Sequence, residues 1–167
     1  LGLGVTGFAI GDRVGVPWLG HTCGACVYCA EGSENLCDTP QFTGWTRDGG
    51  YAEMIVSNAR YCFAIPDGYS DAEAAPLMCA GLIGYRCWRK ACESRAVAAL
   101  GLYGFGAAAH LLAQLAIAHG QSVCAFTTPD DDAAQAMART LGCEWAVGSD
   151  QPPPVALDAA FIFAPVG

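Results

Sequence analysis

The sequence predicts an irregular β domain followed by an α/β domain built around a parallel sheet. Short strand-like runs, separated by glycine and proline turns, occupy the first part of the chain. Beyond residue 92, apolar strand-like runs alternate with helical stretches, which is the pattern of β-α-β units. A glycine-rich turn joins the first of these strands to the first of these helices. We therefore place the domain boundary at 92/93, which gives domains 1–92 and 93–167.

The composition indicates a folded protein and argues against several classes of partner. Of the 167 residues, 53% are hydrophobic and 14% are charged, which suffices for an apolar core. The net charge of −8 argues against non-specific binding to nucleic acid or to anionic membrane surfaces. Glycines, His110 and Gln114 interrupt the longest apolar stretch, so we expect no membrane helix. Cysteines scattered singly through an apolar chain favour a reducing compartment, and we expect the cytoplasm.

The first domain is predicted to be mostly antiparallel β structure that ends in helices. Strands are expected just before Pro17 and at 51–56 and 61–65. Ser70 and Glu73 have the spacing of a capping box, which predicts a short helix interrupted near Pro76. A second helix is expected over residues 81–92, with its cationic side chains near its C-terminal end.

The second domain is predicted to contain four strands and two intervening helices. The first helix ends at Gly120, and the second begins with Thr128 as N-cap and Pro129 in its first turn, and ends at Gly142. These elements make the first half, and slightly more, of a nucleotide-binding sheet. The expected strands are 96–102, 121–127, 143–147 and 159–164, and the first helix is 107–119.

Four cysteines in the loop 20–38 have the spacing C-x2-C-x2-C-x7-C, which matches no helix or strand period. Four thiolates on one short loop suit a tetrahedral Zn2+ with Zn–S distances of about 2.3 Å and no open coordination position. This is the pattern of a structural rather than a catalytic zinc site. Two disulfides are the alternative interpretation. The proposed ligands are Cys23, Cys26, Cys29 and Cys37.

The glycine-rich turn follows a predicted strand and precedes a predicted helix, which is the context of a dinucleotide-binding fingerprint. Two registers are possible: Gly104-x-Gly106-x-x-Ala109, or Gly101-x-Tyr103-x-x-Gly106 with tyrosine in place of the central glycine. A glycine turn with a purely structural role is the alternative. The candidate cofactor-binding residues of the turn are Gly101, Gly104, Phe105 and Gly106.

The residue that binds the adenosine ribose is expected about 20 residues further on, at the end of the second strand. Thr127 occupies this position and Thr128 follows, so the usual carboxylate is missing and the 2′-phosphate of NADP would be tolerated. No Lys or Arg lies nearby to bind that phosphate, and Asp130–Asp132 follow instead. We interpret these aspartates as a helix N-terminus, where anions are favourable. The choice between NAD and NADP stays open, and the missing carboxylate slightly favours NADP.

The motifs together resemble the zinc-dependent alcohol dehydrogenases of the medium-chain dehydrogenase/reductase superfamily. The segment 11–17, the cysteine loop, the segments 48–53 and 75–81 and the glycine-rich turn occur in the order and spacing of that family. Cys79, which alone would be interpreted as a small buried residue, matches the family's later cysteine ligand of the catalytic zinc.

The resemblance implies a GroES-like β domain over 1–92, truncated at its N-terminal side, joined to a Rossmann-type doubly wound parallel sheet over 93–167, truncated at its C-terminal side. It implies a structural zinc on the four clustered cysteines and a catalytic zinc held in part by Cys79. It also implies hydride transfer between an alcohol or aldehyde and NAD or NADP, in a parent protein that is a homodimer or homotetramer.

Three departures from the family accompany this resemblance. The first catalytic cysteine and the Gly-His-Glu motif have no counterpart here, the Rossmann part stops near its fourth strand, and Ile83 stands where many members have threonine. We therefore expect a central fragment that is inactive by itself. A non-catalytic module braced by zinc is the alternative function, and a quinone reductase of the same superfamily that lacks zinc fits the cysteines poorly.

Overall fold

A computed structural model describes residues 1–164, and the chain forms two compact units. The first unit is Leu1–Cys79 and the second begins at Ala80. Residues 165–167, the last of the predicted second domain, lie outside the described residues. None of the helices within 1–164 has the length and apolarity needed to cross a membrane.

The first unit contains two small antiparallel sheets, as the sequence predicts. The strands are β1 (Val14–Gly15), β2 (Leu19–His21), β3 (Gln41–Phe42) and β4 (Phe63–Ala64). Strand β1 pairs with β4, and β2 pairs with β3 with a register shift between Leu19 and His21. The shift and the short strands leave most of the unit as turns, which makes the β structure irregular.

Two of the strands expected in this unit differ from the structure. Residues 51–56 form no strand, and Tyr51 and Val56 are almost fully exposed. An alternating sequence forms a strand only where a neighbour accepts its backbone hydrogen bonds, and the described residues provide none here. The strand expected at 61–65 shortens to β4, because Asn58 accepts a hydrogen bond from the backbone of Arg60 and holds a single 3-10 turn there.

The first unit also contains two short helices. The helix α1 (Val27–Ala30) lies in the cysteine loop, and α2 (Asp71–Ala74) begins at the predicted capping box. The Ser70 hydroxyl accepts from the backbone N–H of Glu73, whose carboxylate accepts from the backbone N–H of Ser70 at 2.9 Å. The chain continues as a 3-10 turn, Ala75–Met78, so the predicted interruption near Pro76 is confirmed.

The second unit is built on four parallel strands, which are β5 (Ala99–Tyr103), β6 (Ser122–Thr127), β7 (Trp145–Gly148) and β8 (Ala159–Ile162). Their spatial order is β7-β6-β5-β8. The first strand in sequence is thus central, with the second and third on one side and the fourth on the other. This order equals one half, plus one strand, of the 3-2-1-4-5-6 order of dinucleotide-binding sheets.

Three helices accompany this sheet, and the start of the last one differs from the prediction. They are α3 (Ala80–Cys92), α4 (Ala107–Ala118) and α5 (Asp132–Thr140). The N-cap of α5 is Asp131, whose carboxylate accepts from the backbone N–H of Ala134 at 3.0 Å, so Thr128 as N-cap was wrong. Instead, the Thr128 carbonyl accepts from the backbone N–H of Asp131, which puts Pro129 at the second position of a β-turn.

The core of the second unit lies between the sheet and its helices. Leu100 and Leu102 of β5 and Val123 and Ala125 of β6 are fully buried and share one face of the sheet. The small Ala109, Ala113 and Ala116 of α4 pack against them without exposure, which lets the helix approach the sheet closely.

The helix α3 belongs to the second unit because it packs on α4. A Cβ at Gly84 would lie only 3.2 Å from the carbonyl oxygen of Ala108 and 3.5 Å from Cβ of Leu112. The boundary between compact units therefore falls before α3, 13 residues earlier than the boundary at 92/93 expected from sequence. The helix predicted at 81–92 is confirmed. The sequence pattern of a helix does not show which other helix it packs against, so the boundary could not be placed from it.

One carboxylate fixes the start of the central strand. The Oδ2 atom of Asp158 accepts hydrogen bonds from the backbone N–H groups of Ala98 and Ala99, at 2.8 and 2.9 Å. The hydrogen bonds from Ala99 and Ala98 lower the pKa of Asp158 below its ordinary value of 3.8. Asp158 thereby joins the residue before β8 to the residues that begin β5.

We expect Asp158→Asn to lower the free energy of unfolding at about pH 7, because a neutral amide oxygen accepts these bonds less strongly. The carboxylate stabilises the fold above the unfolded-state pKa of 3.8, and this contribution disappears as the pH falls through the lower folded-state pKa. Urea unfolding at about pH 7 and about pH 3 should show the two proteins converging in acid. The exposed Asp130→Asn should show a smaller difference, and an equal loss in both variants would contradict the assignment.

Candidate functional site

The four clustered cysteines converge on one point. Their sulfur atoms all lie within 4.8 Å of one another, and those of Cys23 and Cys29 are 4.0 Å apart. A tetrahedral Zn2+ with Zn–S bonds of about 2.3 Å requires sulfurs separated by about 3.8 Å. The group can therefore hold a metal ion with small side-chain adjustments, whereas two disulfides would require the sulfurs to approach in separate pairs.

The local fold of the loop brings these cysteines together. Gly24 and Gly32 have φ angles of 71° and 72°, a left-handed conformation that turns the chain back before and after α1. Cys26 immediately precedes α1 and Cys29 lies within it. A 3-10 turn, Glu34–Leu36, then returns the chain so that the buried Cys37 faces the other cysteines.

Backbone N–H groups surround two of the sulfurs. Cys23 Sγ accepts from the backbone of Ala25 and Cys26, at 3.5 and 3.3 Å, and these bonds lower the pKa of Cys23 to about 6. Cys37 Sγ accepts from the backbone of Cys23 and Thr39. At Cys29, a hydrogen bond from Thr22 lowers the pKa, but burial and the neighbouring Cys26 and Cys37 thiols outweigh it and raise the pKa to about 11. One thiolate is thus favoured at neutral pH.

Cys79 lies apart from the cysteine loop at a different kind of position. It separates the 3-10 turn after α2 from α3, its side chain is exposed, and its backbone N–H donates to the Pro76 carbonyl. The interpretation as a buried small residue, made from composition alone, was wrong. Among residues 1–164, Cys79 belongs to no group of three or more side chains that could hold a metal.

The glycine-rich turn lies at the C-terminal end of β5, between β5 and α4. Gly104 has φ of +88°, and a Cβ there would lie 2.7 Å from the backbone nitrogen of Ala164, just after β8. Only glycine fits both constraints. Gly106 is the N-cap of α4, and a Cβ there would meet no atom within 4 Å. This position therefore has free space in front of the backbone, as an approaching phosphate requires.

The two proposed registers share Gly106, whereas Gly104 belongs only to the first and Gly101 only to the second. Gly101 lies inside β5, where a Cβ would be 2.6 Å from a methyl group of Leu157 in the connection before β8. Phe105 is only 9% exposed and packs in the core, so only its backbone can face a ligand. In the first register, the third small residue is Ala109, which is fully buried where α4 crosses the sheet. The first register therefore fits the roles of a fingerprint turn.

The residue at the end of β6 is not free to bind a ligand. Thr127 is 5% exposed; its hydroxyl donates to the Thr128 carbonyl at 2.8 Å and accepts from the Gln135 amide at 3.1 Å. Gln135, itself 8% exposed, also donates to the Pro129 carbonyl. Thr128 is exposed and is the first accessible side chain after the strand.

Comparisons with known proteins agree with these features. Residues 1–67 match the family described as alcohol dehydrogenase GroES-like domain. Over 160 residues, 96% of this chain, the sequence is 50% identical to a probable alcohol dehydrogenase, AdhA, of Mycobacterium tuberculosis. Over 147 residues it is 40% identical to an alcohol dehydrogenase of Geobacillus stearothermophilus. The chain spans 45% and 43% of the lengths of these two relatives.

Solved structures give the same result. The crystal structure of CAD from Helicobacter pylori complexed with NADP(H) superposes with a TM-score of 0.86 and 27% identity, covering 99% of this chain and 49% of that one. An alcohol dehydrogenase of Aeropyrum pernix superposes with a TM-score of 0.76 and 28% identity, covering 92% of this chain and 45% of that one. The resemblance to medium-chain alcohol dehydrogenases is confirmed.

The cysteine loop of this chain depends on a buried pair of hydroxyls that sequence patterns do not reveal. The hydroxyls of Thr22 and Tyr61 are 2.6 Å apart, and these residues are 3% and 8% exposed. Arg47 reaches the same loop and donates to the Gly20 carbonyl at 3.1 Å. Because Thr22 directly precedes Cys23, the pair fixes the entry of the chain into the metal-ligating loop. No sequence signal connects residues 39 positions apart.

We expect Tyr61→Phe to destabilise the cysteine loop, because the buried Thr22 hydroxyl loses its hydrogen bond to Tyr61 and keeps only the one to Cys29. The loss of one such hydrogen bond costs about 0.5–1.5 kcal/mol. Urea unfolding and the rate at which a disulfide reagent modifies the cysteines should both report the change. Tyr69→Phe is the matched control, since Tyr69 is 43% exposed. Equal behaviour of the two variants would contradict a role for the Thr22–Tyr61 pair.

We also expect Gly104→Ala to destabilise the second unit by more than about 2 kcal/mol, because the left-handed conformation alone costs about 1–2 kcal/mol and the Ala164 backbone blocks the new methyl group. Gly120→Ala is the control, since Gly120 has φ of +78° but open space around it. Its cost should stay near the conformational value. Unfolding free energies measure both, and similar values would show that the close approach is unimportant.

Proposed function

We propose that the chain is part of a zinc-dependent oxidoreductase that transfers a hydride between a primary or secondary alcohol or aldehyde and NAD(P). The observation that carries the proposal is the 50% identity to a probable alcohol dehydrogenase over 96% of the chain. The convergent cysteines in the first unit and the glycine-rich turn in the second unit support it, because they are two separate requirements of such an enzyme. The activity belongs to the whole protein rather than to this chain.

We propose that the convergent cysteines hold a structural zinc. Thiolate ligands select zinc among the common divalent ions, and four protein ligands leave no position for a substrate. The role of this site is therefore to stabilise the loop. The chemistry of the cluster fits the metal, since four sulfurs already lie within 4.8 Å of one another. The ligands are Cys23, Cys26, Cys29 and Cys37.

Cys79 is proposed as one ligand of a catalytic zinc. When bound, such a zinc acts as a Lewis acid that lowers the pKa of an alcohol. A catalytic zinc site needs three protein ligands, and Cys79 supplies one. Its exposure leaves the thiol accessible to a metal ion. Because its partners are not among residues 1–164, we expect no appreciable alcohol oxidation by the 167-residue chain.

The proposed cofactor site is the turn that begins α4. The backbone of Gly104, Phe105 and Gly106 would contact the pyrophosphate, which the free N–H groups of the first turn of α4 favour. Gly101 would contribute by letting the connection before β8 pack on β5. Thr128 would lie near the adenosine ribose, and Thr127 would act through the backbone only, because its hydroxyl is buried and already donates to the Thr128 carbonyl.

The substrate is proposed to be a small alcohol or aldehyde, in a cytoplasmic homodimer or homotetramer that binds neither nucleic acid nor membranes. The cysteines scattered singly outside the cluster support the compartment, because a secreted protein would favour a disulfide framework. The second candidate is a non-catalytic module braced by zinc. The isolation of Cys79 from further ligands among residues 1–164 is the observation that favours it.

Metal analysis tests the proposal. We expect about one zinc per purified chain, lost in Cys26→Ser and retained in Cys62→Ser, since Cys62 lies outside the cluster. Cys79→Ser should retain the structural zinc. In a longer protein that includes the missing ligands, a second zinc should bind and should disappear with Cys79→Ser. Failure to find that second zinc would favour the non-catalytic module.

A further inference from the structure

The end of β6 has no cationic side chain that can bind a phosphate. The hydroxyl of Thr127 is buried, its single donor is used by the Thr128 carbonyl, and it accepts from the Gln135 amide. The Gln135 amide is also occupied, since it donates to both Thr127 and the Pro129 carbonyl. The accessible hydroxyl of Thr128 is therefore the single uncharged side-chain group that the strand end presents to a ribose.

Positive charge is almost absent from the stretch that forms the sheet of the second unit. Between residues 96 and 167, Arg139 is the sole Lys or Arg in the sequence; the other cations of the unit belong to α3 or, as Arg95, precede β5. The Arg139 guanidinium is engaged within α5 and β7, because Nη1 donates to the Ala146 carbonyl at 2.6 Å. Within residues 96–164, a 2′-phosphate at the end of β6 would thus meet no free Lys or Arg side chain.

Negative charge, by contrast, comes to this place from two elements. Asp130, Asp131 and Asp132 follow β6 and are exposed, and Asp131 is fixed there as the N-cap of α5. From the end of β7, a Cβ at Gly148 would lie 2.5 Å from Oδ1 of Asp150 and 2.8 Å from Cα of Pro129. The Asp150 carboxylate is therefore packed beside the β6–α5 connection. Carboxylates from the β6–α5 connection and from the residues after β7 therefore lie near the end of β6.

We propose that this chain selects NAD and rejects NADP through the charge of the β6–α5 connection. The inference rests on the proposed function, since it requires a dinucleotide at the glycine-rich turn. The 2′-phosphate would add about two negative charges beside these carboxylates with no cation to offset them. The 2′-hydroxyl of NAD needs an acceptor instead, which the Thr128 hydroxyl or the exposed Asp130 carboxylate can supply. Asp130 thus replaces the carboxylate that usually ends this strand.

Titration of the folded chain with NADH and NADPH, followed by nicotinamide fluorescence, tests the proposal without turnover. We expect NADPH to bind at least about tenfold more weakly than NADH at about 0.05 M salt. The ratio should shrink at about 0.5 M salt, because ions screen the repulsion between exposed charges. The same order is expected for 2′,5′-ADP and 5′-AMP, which probe the adenosine end alone.

A single substitution should reverse part of the preference. Thr128→Arg places a cation at the accessible position after β6 and should strengthen NADPH binding about tenfold while changing NADH binding by less than about twofold. Gln114→Arg adds the same charge to the exposed face of α4 and is the matched control. It should leave the ratio of the two affinities unchanged.

The outcomes separate this proposal from the function on which it rests. NADPH binding equal to or tighter than NADH binding would overturn the selectivity and leave the dinucleotide site intact. A Thr128→Arg effect no larger than that of Gln114→Arg would overturn the role of the β6–α5 connection. Binding of neither nucleotide by the folded chain would overturn both the cofactor role of the turn in this chain and the selectivity.

Discussion

The first unit depends on the convergence of its four cysteine sulfurs, because it has almost no apolar core. Its buried apolar residues are few, and they include Cys37, Tyr61 and Ala74, each less than a tenth exposed. The large cluster of buried apolar side chains lies entirely in the second unit. Small domains without a sufficient core are usually stabilised by metals or disulfides. Two hydrogen bonds connect the cysteine loop to its surroundings: one joins the hydroxyls of Thr22 and Tyr61, and the other joins the Arg47 guanidinium to the Gly20 carbonyl.

The second unit obtains its order from close packing instead. Alanines on α4 and glycines at 84 and 104 let backbone approach backbone, and the buried leucines of β5 fill the space between. Each of these close approaches leaves no room for a larger side chain. At Gly106, by contrast, a Cβ would meet no atom within 4 Å, so the start of α4 is open. The first N–H groups of a helix have no hydrogen-bond acceptor within the helix, so those of α4 are available to an anion.

Elements with their own local chemistry could be predicted from the sequence, and elements that depend on distant partners could not. The Ser70–Glu73 capping box, α4 and the cysteine spacing need only neighbours a few residues away, and the structure contains all three. The strand expected at 51–56 failed because a strand requires a partner. Thr128 failed as N-cap because its dipeptide with Pro129 suits a β-turn equally well, and Asp131 offers a charged acceptor. The saturation of Thr127 by Gln135 required the packed α5 helix.

The distribution of charge along the second unit explains how an acidic chain could bind an anionic cofactor. The chain carries a net charge of −8, yet no charged residue lies between 96 and 129, the stretch that contains β5, the turn, α4 and β6. Neutral backbone dipoles at the start of α4 would therefore meet the pyrophosphate without nearby carboxylates to oppose it. The aspartates begin only after β6, where they would face the ribose. Negative charge near the ribose would weaken binding of a 2′-phosphate and leave the contacts common to NAD and NADP unchanged. Selectivity would then arise from repulsion of one cofactor rather than from a new attraction to the other.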